Sequence, residues 1–184
     1  RILNEGLQRF KDLVFQDSTV VRVNEKLAYK WPATRSRKVA AGVKVGMLVS
    51  AVADGPRRVA LFPERTSEVK TLKLGPWVKD RILLIDLGFY KHQSFARIKE
   101  NGGFFISRLK GKVDPLIITS NRNCRGRSID VVGKRFRDVE SRLKREVLDV
   151  NVELQFKRRA YRGKSRADVQ QFRLVAVYNV EAKA

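Results

Sequence analysis

Runs of β-branched and apolar residues in the first third of the chain, separated by polar and turn-forming residues, predict three antiparallel strands. Residues 13–23 are rich in β-branched side chains and have apolar flanks, which predicts a central strand that is buried on both faces. Two more strands are predicted over residues 43–52 and 57–62, on either side of the turn sequence Asp54-Gly55-Pro56. The basic stretch between the first two strands is predicted to be a solvated loop.

From residue 66 the pattern changes to alternating helices and strands. Residues 66–74 and 91–100 have helical spacing, and Asn101-Gly102-Gly103 ends the second helix. Residues 81–86 are almost entirely apolar, which is typical of a buried parallel strand. With a last strand over residues 104–110, the predicted order is strand, strand, strand, helix, strand, helix, strand.

The residues beyond 110 have a different character. Residues 111–130 are predicted to be irregular, and residues 136–147 have helical spacing. Strict alternation over residues 149–156 and 172–180 predicts two half-buried strands, joined by a turn at Arg162-Gly163-Lys164. This region is expected to form a twisted hairpin beside a helix.

Length and hydrophobic content are compatible with a folded domain that has a real core, since 43% of the 184 residues are hydrophobic. We predict the α/β class with a mixed sheet. Three parts are expected along the chain: the end of a preceding helical segment in residues 1–12, an α/β core in residues 13–110, and a β-rich region in residues 111–184.

The charge of the chain indicates an anionic partner. Forty Lys and Arg residues oppose nineteen Asp and Glu residues, which gives a formal net charge of +21. Nucleic acid is the commonest partner of so basic a protein, because each neutralised phosphate releases condensed counterions. A membrane surface would favour a compact basic amphipathic helix. The basic residues here are spread from Arg1 to Lys183, which favours a long duplex.

Cysteine and histidine provide no catalytic motif. Cys124 is the only cysteine, so an internal disulfide and a cysteine pair for zinc are both excluded, and a reducing cytoplasmic compartment is expected. His92, the only histidine, is expected on a helix surface. No apolar run approaches the length of a membrane span. Because Arg1 is not a methionine, we expect the chain to be cut from a longer protein.

Several basic residues are candidates for contacts with DNA phosphate, against the alternative that each is simply solvated. They lie in the loop after the first strand, in the second strand, at the end of the fifth strand and in the densest basic cluster. The candidates are Arg35, Arg37, Lys38, Lys44, Arg108, Lys110, Lys157, Arg158, Arg159 and Arg162.

Two carboxylates differ from the other acidic residues, which sit among basic neighbours. Asp17 is in the middle of the first predicted strand, and Asp86 ends the most apolar strand. A buried carboxylate is costly unless it is paired or bound to metal, and each alone could cap backbone or pair with an arginine. On adjacent parallel strands the two carboxylates would lie side by side and would need a divalent cation between them. Two-metal phosphodiester chemistry uses that arrangement.

The motifs around these aspartates resemble a known family. Three hairpin-like strands, then helix, strand, helix and strand, with Asp on the first and fourth strands, is the layout of the ribonuclease H-like fold. Gln16-Asp17-Ser18-Thr19-Val20 and Asp86-Leu87-Gly88-Phe89-Tyr90, with the strand at residues 104–110, resemble the DDE transposases of prokaryotic insertion sequences, the large family numbered four. The resemblance extends over roughly residues 13–180.

The resemblance implies a third acid, a Glu on a later helix within the signature Tyr-x2-Arg-x3-Glu-x6-Lys, and this sequence lacks that signature. Residues 111–180 resemble the β-rich insertion that precedes this helix, so we expect a truncated core. The resemblance further implies Asp17 and Asp86 as ligands of Mg²⁺ or Mn²⁺. Its implied partners are transposon ends and target DNA, bridged by a homodimer or larger complex, with no membrane involved.

Three alternatives remain open at this stage. A catalytically inactive remnant that still binds DNA would explain the absent glutamate. A metal-dependent nuclease of the same fold would share the two aspartates, but it would cleave DNA without joining strands. A ribosomal-type RNA-binding protein would explain the charge but not two acids on adjacent strands.

Overall fold

Two separate β-sheets organise the chain, one in each of two units, Arg1–Lys110 and Gly111–Ala184. The computed structural model describes residues 5–34, 40–53, 56–122, 130–141, 147–158 and 166–177. Among these residues, no helix is long and apolar enough to cross a membrane.

The first unit contains a five-stranded mixed sheet. Its strands are β1 (Asp12–Val23), β2 (Ala41–Ser50), β3 (Pro56–Pro63), β4 (Arg81–Ile85) and β5 (Phe104–Ser107). They lie in the order β3-β2-β1-β4-β5. β1 to β3 pair antiparallel, whereas β4 is parallel to both β1 and β5.

Two α-helices connect the later strands of this unit, α1 (Glu68–Thr71) and α2 (His92–Glu100). The predicted order of strands and helices is therefore confirmed in this unit. α1 is shorter than predicted because the backbone is already extended at Leu72. Before β1, the described residues contain a single 3-10 turn, Glu5–Leu7, where the end of a preceding helical segment is expected, and β1 begins at Asp12.

One face of the five-stranded sheet forms the core. Val14, Leu83 and Ile85 are buried on it, with at most 4% of their surface exposed. Helix α2 packs on this face, where the Phe95 ring stacks on Phe105 at a centroid distance of 4.2 Å. Burial of one such aromatic side chain contributes roughly 1.5–3 kcal/mol to stability, so this face holds the unit together.

The opposite face of the sheet is open to solvent. Phe104 is 51% exposed and Ile106 is 59% exposed, and Phe15 and Leu61 on this face are also exposed. The prediction that β1 is buried on both faces is therefore wrong. β1 is central in the sheet, but its apolar residues face a packed core on one side only.

The second unit contains a three-stranded antiparallel sheet in the order β6-β7-β8. Its elements are β6 (Leu116–Ser120), α3 (Phe136–Glu140), β7 (Val147–Lys157) and β8 (Ala167–Val177). Leu148, Val150 and Val152 of β7 are buried with Ile117 and Phe136, so one face of β7 carries the core.

Some predictions for this unit need correction. Residues 111–130 are not irregular throughout, because the short strand β6 pairs with β7. The predicted helix over residues 136–147 is observed only as α3, and residues 142–146 lie outside the described residues. The turn predicted at Arg162-Gly163-Lys164 also lies outside them.

A buried carboxylate stabilises the second sheet on the face of β7 opposite to its core. Arg173 donates two hydrogen bonds to Asp149, from Nε at 2.9 Å and from Nη2 at 2.6 Å. Asn121 donates a third from Nδ2 at 3.0 Å. These bonds, with Arg173 as the largest cause, lower the pKa of Asp149 to about 2.

A tight glycine turn fixes the start of β5 after helix α2. Gly102 has a φ of +69°, which only glycine adopts at little cost, and the Gly103 amide donates to the Ile98 carbonyl at 2.9 Å. A Cβ at Gly103 would lie 2.7 Å from the Val78 carbonyl oxygen. Backbone has no room to move there without shifting β5.

We predict that Gly103→Ala lowers the free energy of unfolding by about 1–3 kcal/mol, because the new methyl group overlaps backbone. Urea unfolding measures the change. Gly111→Ala is the control, since its Cβ would meet no atom within 4 Å, and a change within about 0.5 kcal/mol is expected. Equal effects of the two substitutions would contradict the proposed close contact.

We predict that Asp149→Asn destabilises the second unit at neutral pH and that the difference from the parent chain disappears in acid. A carboxylate whose pKa is lowered by folding stabilises the folded state at pH values above its unfolded pKa. This contribution is lost as the pH falls through its folded pKa. The window therefore runs from about pH 4 down to about pH 2. Urea midpoints at several pH values test this. Glu140→Gln, an exposed charge control, should show no such dependence, and a pH-independent effect of Asp149→Asn would contradict it.

Candidate active site

The register between β1 and β4 makes Asp17 and Asp86 neighbours. The last observed parallel pair is Gln16 with Ile85; Asp17 is the next residue of β1, and Asp86 is the first residue after β4. Adjacent strands are about 4.8 Å apart, and residues in register in a parallel pair point to the same face. Gln16 and Ile85 are buried, so the aspartates that follow point to the open face.

Both aspartates are exposed, which corrects the prediction that they are buried. The Asp86 side chain is 63% exposed, and Asp17 is also exposed. The prediction placed them in strands packed on both sides, whereas the face that carries them is open. Their proximity, not a cost of desolvation, is the unusual feature of this site.

Each aspartate has a different partner. The backbone amide of Ser18 donates to Asp17 Oδ1 at 2.7 Å. Arg108, the first residue after β5, donates from Nη2 to Asp86 Oδ1 at 2.9 Å. The Arg108 guanidinium is the main cause that holds the pKa of Asp86 below its usual range, and the backbone amides of Leu87 and Gly88 act in the same direction.

Another acid, Glu68 of α1, lies near the residues that follow Asp17 and Asp86, but it does not form a three-acid metal site with them. The Ser18 hydroxyl donates to Glu68 Oε1 at 3.4 Å, and a Cβ added to Gly88 would lie 1.6 Å from Glu68 Oε2. The Glu68 carboxylate therefore lies between the residue after Asp17 and the turn after Asp86. Sequence reasoning missed this role, because nothing in the spacing of α1 indicates it.

No group of three or more His, Cys, Asp or Glu residues that could hold a metal occurs within the described ranges. Asp17 and Asp86 still supply two hard oxygen ligands on one face. Mg²⁺ is commonly bound through one or two carboxylates together with substrate phosphates and water. The pair therefore suits Mg²⁺ or Mn²⁺ as a partial site, to which DNA would add further ligands.

Basic and aromatic residues lie near the end of β5. Lys110 places Nζ 5.4 Å from the centroid of the Tyr90 ring, a cation–π distance. Burial raises the pKa of Tyr90 to about 12. His92 is half-buried against Tyr90, and burial, followed by the charge of Lys110, lowers the pKa of His92. Its ring is thus part of a small aromatic cluster and is not simply on the helix surface.

Lys44, a candidate for contact with DNA phosphate, does not lie on an exposed face of the sheet. Its side chain is buried, and Nζ donates to the Thr66 carbonyl at 2.6 Å. Lys157 is exposed in β7, and Arg158 donates from Nε to Asp168 Oδ2 at 2.6 Å. The other candidates lie outside the described residues: Arg35, Arg37, Lys38, Arg159 and Arg162.

Comparison with known proteins identifies the class to which this fold and site belong. Residues 8–182 match the family of transposase DDE domains, which is nearly the whole chain. The chain therefore belongs to this family, and the expected likeness to DDE transposases is confirmed at that level. A search of curated proteins found no significant match.

We predict that Gly88→Ala is destabilising mainly because of Glu68. The new methyl group must push the Glu68 carboxylate away from Ser18, a movement that a flexible side chain makes at a cost below about 1 kcal/mol. In a Glu68→Ala background the same change should therefore be nearly neutral. A double-mutant cycle measured by thermal unfolding tests the coupling.

Gly75→Ala is the matched control for this cycle, because its Cβ would meet only Trp77 at 3.7 Å. Its effect should be the same with and without Glu68. If Gly88→Ala also had equal effects in both backgrounds, Glu68 would not lie against Gly88.

Proposed function

We propose that this chain is the catalytic core of a DDE transposase of the insertion-sequence type, in which Asp17 and Asp86 bind Mg²⁺ or Mn²⁺. The observation that supports the proposal is the parallel register of β1 with β4, whose last pair, Gln16 with Ile85, immediately precedes the two exposed aspartates. Membership of the transposase DDE family supports a role in DNA transposition. The order of strands and helices supports a ribonuclease H-like core.

The proposed chemistry has two steps on DNA. Water attacks a phosphodiester at a transposon end, and the P–O bond to the leaving 3′-oxygen breaks, which frees a 3′-hydroxyl. That hydroxyl then attacks a phosphodiester of the target, where a second P–O bond breaks as the new one forms. A divalent cation, when bound, stabilises charge on the attacking and leaving oxygens. Asp17 and Asp86 hold their carboxylates towards the side from which DNA approaches.

Basic residues are proposed to hold the DNA backbone. The net charge of +21 favours a long polyanion, because contacts with phosphate release counterions. Arg108 and Lys110 lie at the end of β5 nearest the acidic pair, and Lys157 is exposed on the second sheet. The basic loop that follows β1 and the cluster after Lys157 are proposed as further contacts. Two such cores in a homodimer would bridge two DNA ends.

A second candidate function is DNA binding without catalysis. The sequence lacks the signature that contains the third glutamate of the family. The described residues also include no third acidic ligand beside Asp17 and Asp86. A metal-dependent nuclease of the same fold would use the same pair, but it would not join DNA strands.

We predict that the chain binds Mn²⁺ and that the double change Asp17→Asn, Asp86→Asn abolishes binding, since a divalent cation needs both carboxylates. Titration calorimetry measures the affinity. The matched control is Glu25→Gln with Asp80→Asn, which removes the same charge from exposed or half-buried sites in the first unit and should bind as the parent does.

Equal binding by the parent and the Asp17/Asp86 variant, or no binding by either, would contradict the proposed metal site. If metal binding holds, an assay with labelled transposon-like ends separates the remaining functions. Joined products indicate a transposase, cleavage alone indicates a nuclease, and DNA binding without either product indicates a remnant.

A further inference from the structure

We infer that Arg108 is a resident counterion of the acidic pair, which a divalent cation has to displace from Asp86 before it can bind. The inference rests on the proposed metal site, and it assigns a positioning role to a residue outside the two aspartates. It also predicts that removal of Arg108 raises the affinity for the metal, which a role in DNA contact alone would not cause.

The sheet itself builds this contact. β4 and β5 are parallel, and their last observed pair is Ile85 with Ser107. Asp86 and Arg108 are therefore the next residues in register, just as Asp17 and Asp86 are on the other side. Asp17 in β1, Asp86 directly after β4 and Arg108 directly after β5 thus follow one another across three neighbouring strands, with two negative charges and one positive charge.

The guanidinium places a positive charge directly against one carboxylate of the pair. Two carboxylates on adjacent strands repel one another when no cation is present. Arg108 Nη2 lies 2.9 Å from Asp86 Oδ1, so it occupies one oxygen that a metal would use.

The contact is weak enough to be replaced. The Arg108 side chain is 74% exposed and the Asp86 side chain 63% exposed, so water screens the pair. Exposed ion pairs of this kind change equilibria by a small factor. Once displaced, the guanidinium presents planar donors that suit phosphate oxygens, so a metal ion would free Arg108 for the DNA backbone.

We predict that Arg108→Gln binds Mn²⁺ roughly two- to five-fold more tightly than the parent chain, because the competing cation is gone. Lys91→Gln is the matched control. It removes the same charge from an exposed residue at the start of α2, five positions after Asp86, and should change the affinity less. Calorimetry with Mn²⁺ alone measures all three proteins, and a thermal melt confirms that each is folded.

A second measurement observes Arg108 directly. In the parent chain, the side-chain NMR signal of Arg108 Nε should move on titration with Mg²⁺, as the guanidinium leaves Asp86. The same signal in the Asp17→Asn, Asp86→Asn variant should not respond to Mg²⁺. A signal that is insensitive to Mg²⁺ in a parent chain that binds the metal would overturn the inference.

The outcomes separate the two proposals. If the Asp17/Asp86 variant loses Mn²⁺ binding but Arg108→Gln binds as Lys91→Gln does, or more weakly, the metal site stands and the role of Arg108 is overturned. If neither the parent nor Arg108→Gln binds Mn²⁺, both proposals fail. Tighter binding by Arg108→Gln than by Lys91→Gln supports the inference.

Discussion

The parallel pairing of β1 with β4 is the constraint on which the rest of the first unit depends. Parallel neighbours cannot be joined by a tight hairpin, so the chain passes through β2, β3 and α1 before it returns. Backbone hydrogen bonds tie the strand starts together, from the Lys11 amide to the Asp80 carbonyl and from the Asp80 amide to the Gly102 carbonyl. A register shift of one residue would turn an aspartate towards the core. The positions of the two aspartates at one end of the sheet thus depend on the backbone hydrogen bonds that fix the strand starts at the other end.

The acidic residues divide by what surrounds them. Asp12 is buried and accepts a hydrogen bond from the Ser50 hydroxyl, and Asp149 is buried against Arg173. These two carboxylates therefore have a local structural role, because each is paired with a neighbouring side chain. Asp17 and Asp86 are exposed and adjacent, and only their register brings them together. Burial of an acid therefore does not single out the proposed site in this chain. The useful signal is two acids at matching positions on neighbouring parallel strands.

Much of the first unit could be predicted from sequence, because the β-branched and apolar runs of β1 to β3, the turn sequence after β2 and the apolar run of β4 indicate the type and order of these elements. The aspartate pair followed from that order. The open face could not be predicted, because the sequence does not show whether another element covers an apolar side chain such as that of Ile106. Strand β6 was missed because five residues are too few for periodicity to decide. The positions of Lys44 and Glu68 depend on tertiary contacts across α1, which no local pattern contains.

The charge of the whole chain bears on the proposed metal site. A protein with a net charge of +21 repels divalent cations at long range, so the two carboxylates have to dominate locally. Salt of about 0.1 M screens charges beyond roughly 10 Å, so Arg108, which contacts Asp86 directly, is the cation with the strongest local effect among the described residues. Bound DNA would remove this repulsion of divalent cations, because its phosphates neutralise the basic surface and offer Arg108 another anion. Metal and DNA would then favour each other's binding, and linkage requires that this coupling be equal in both directions.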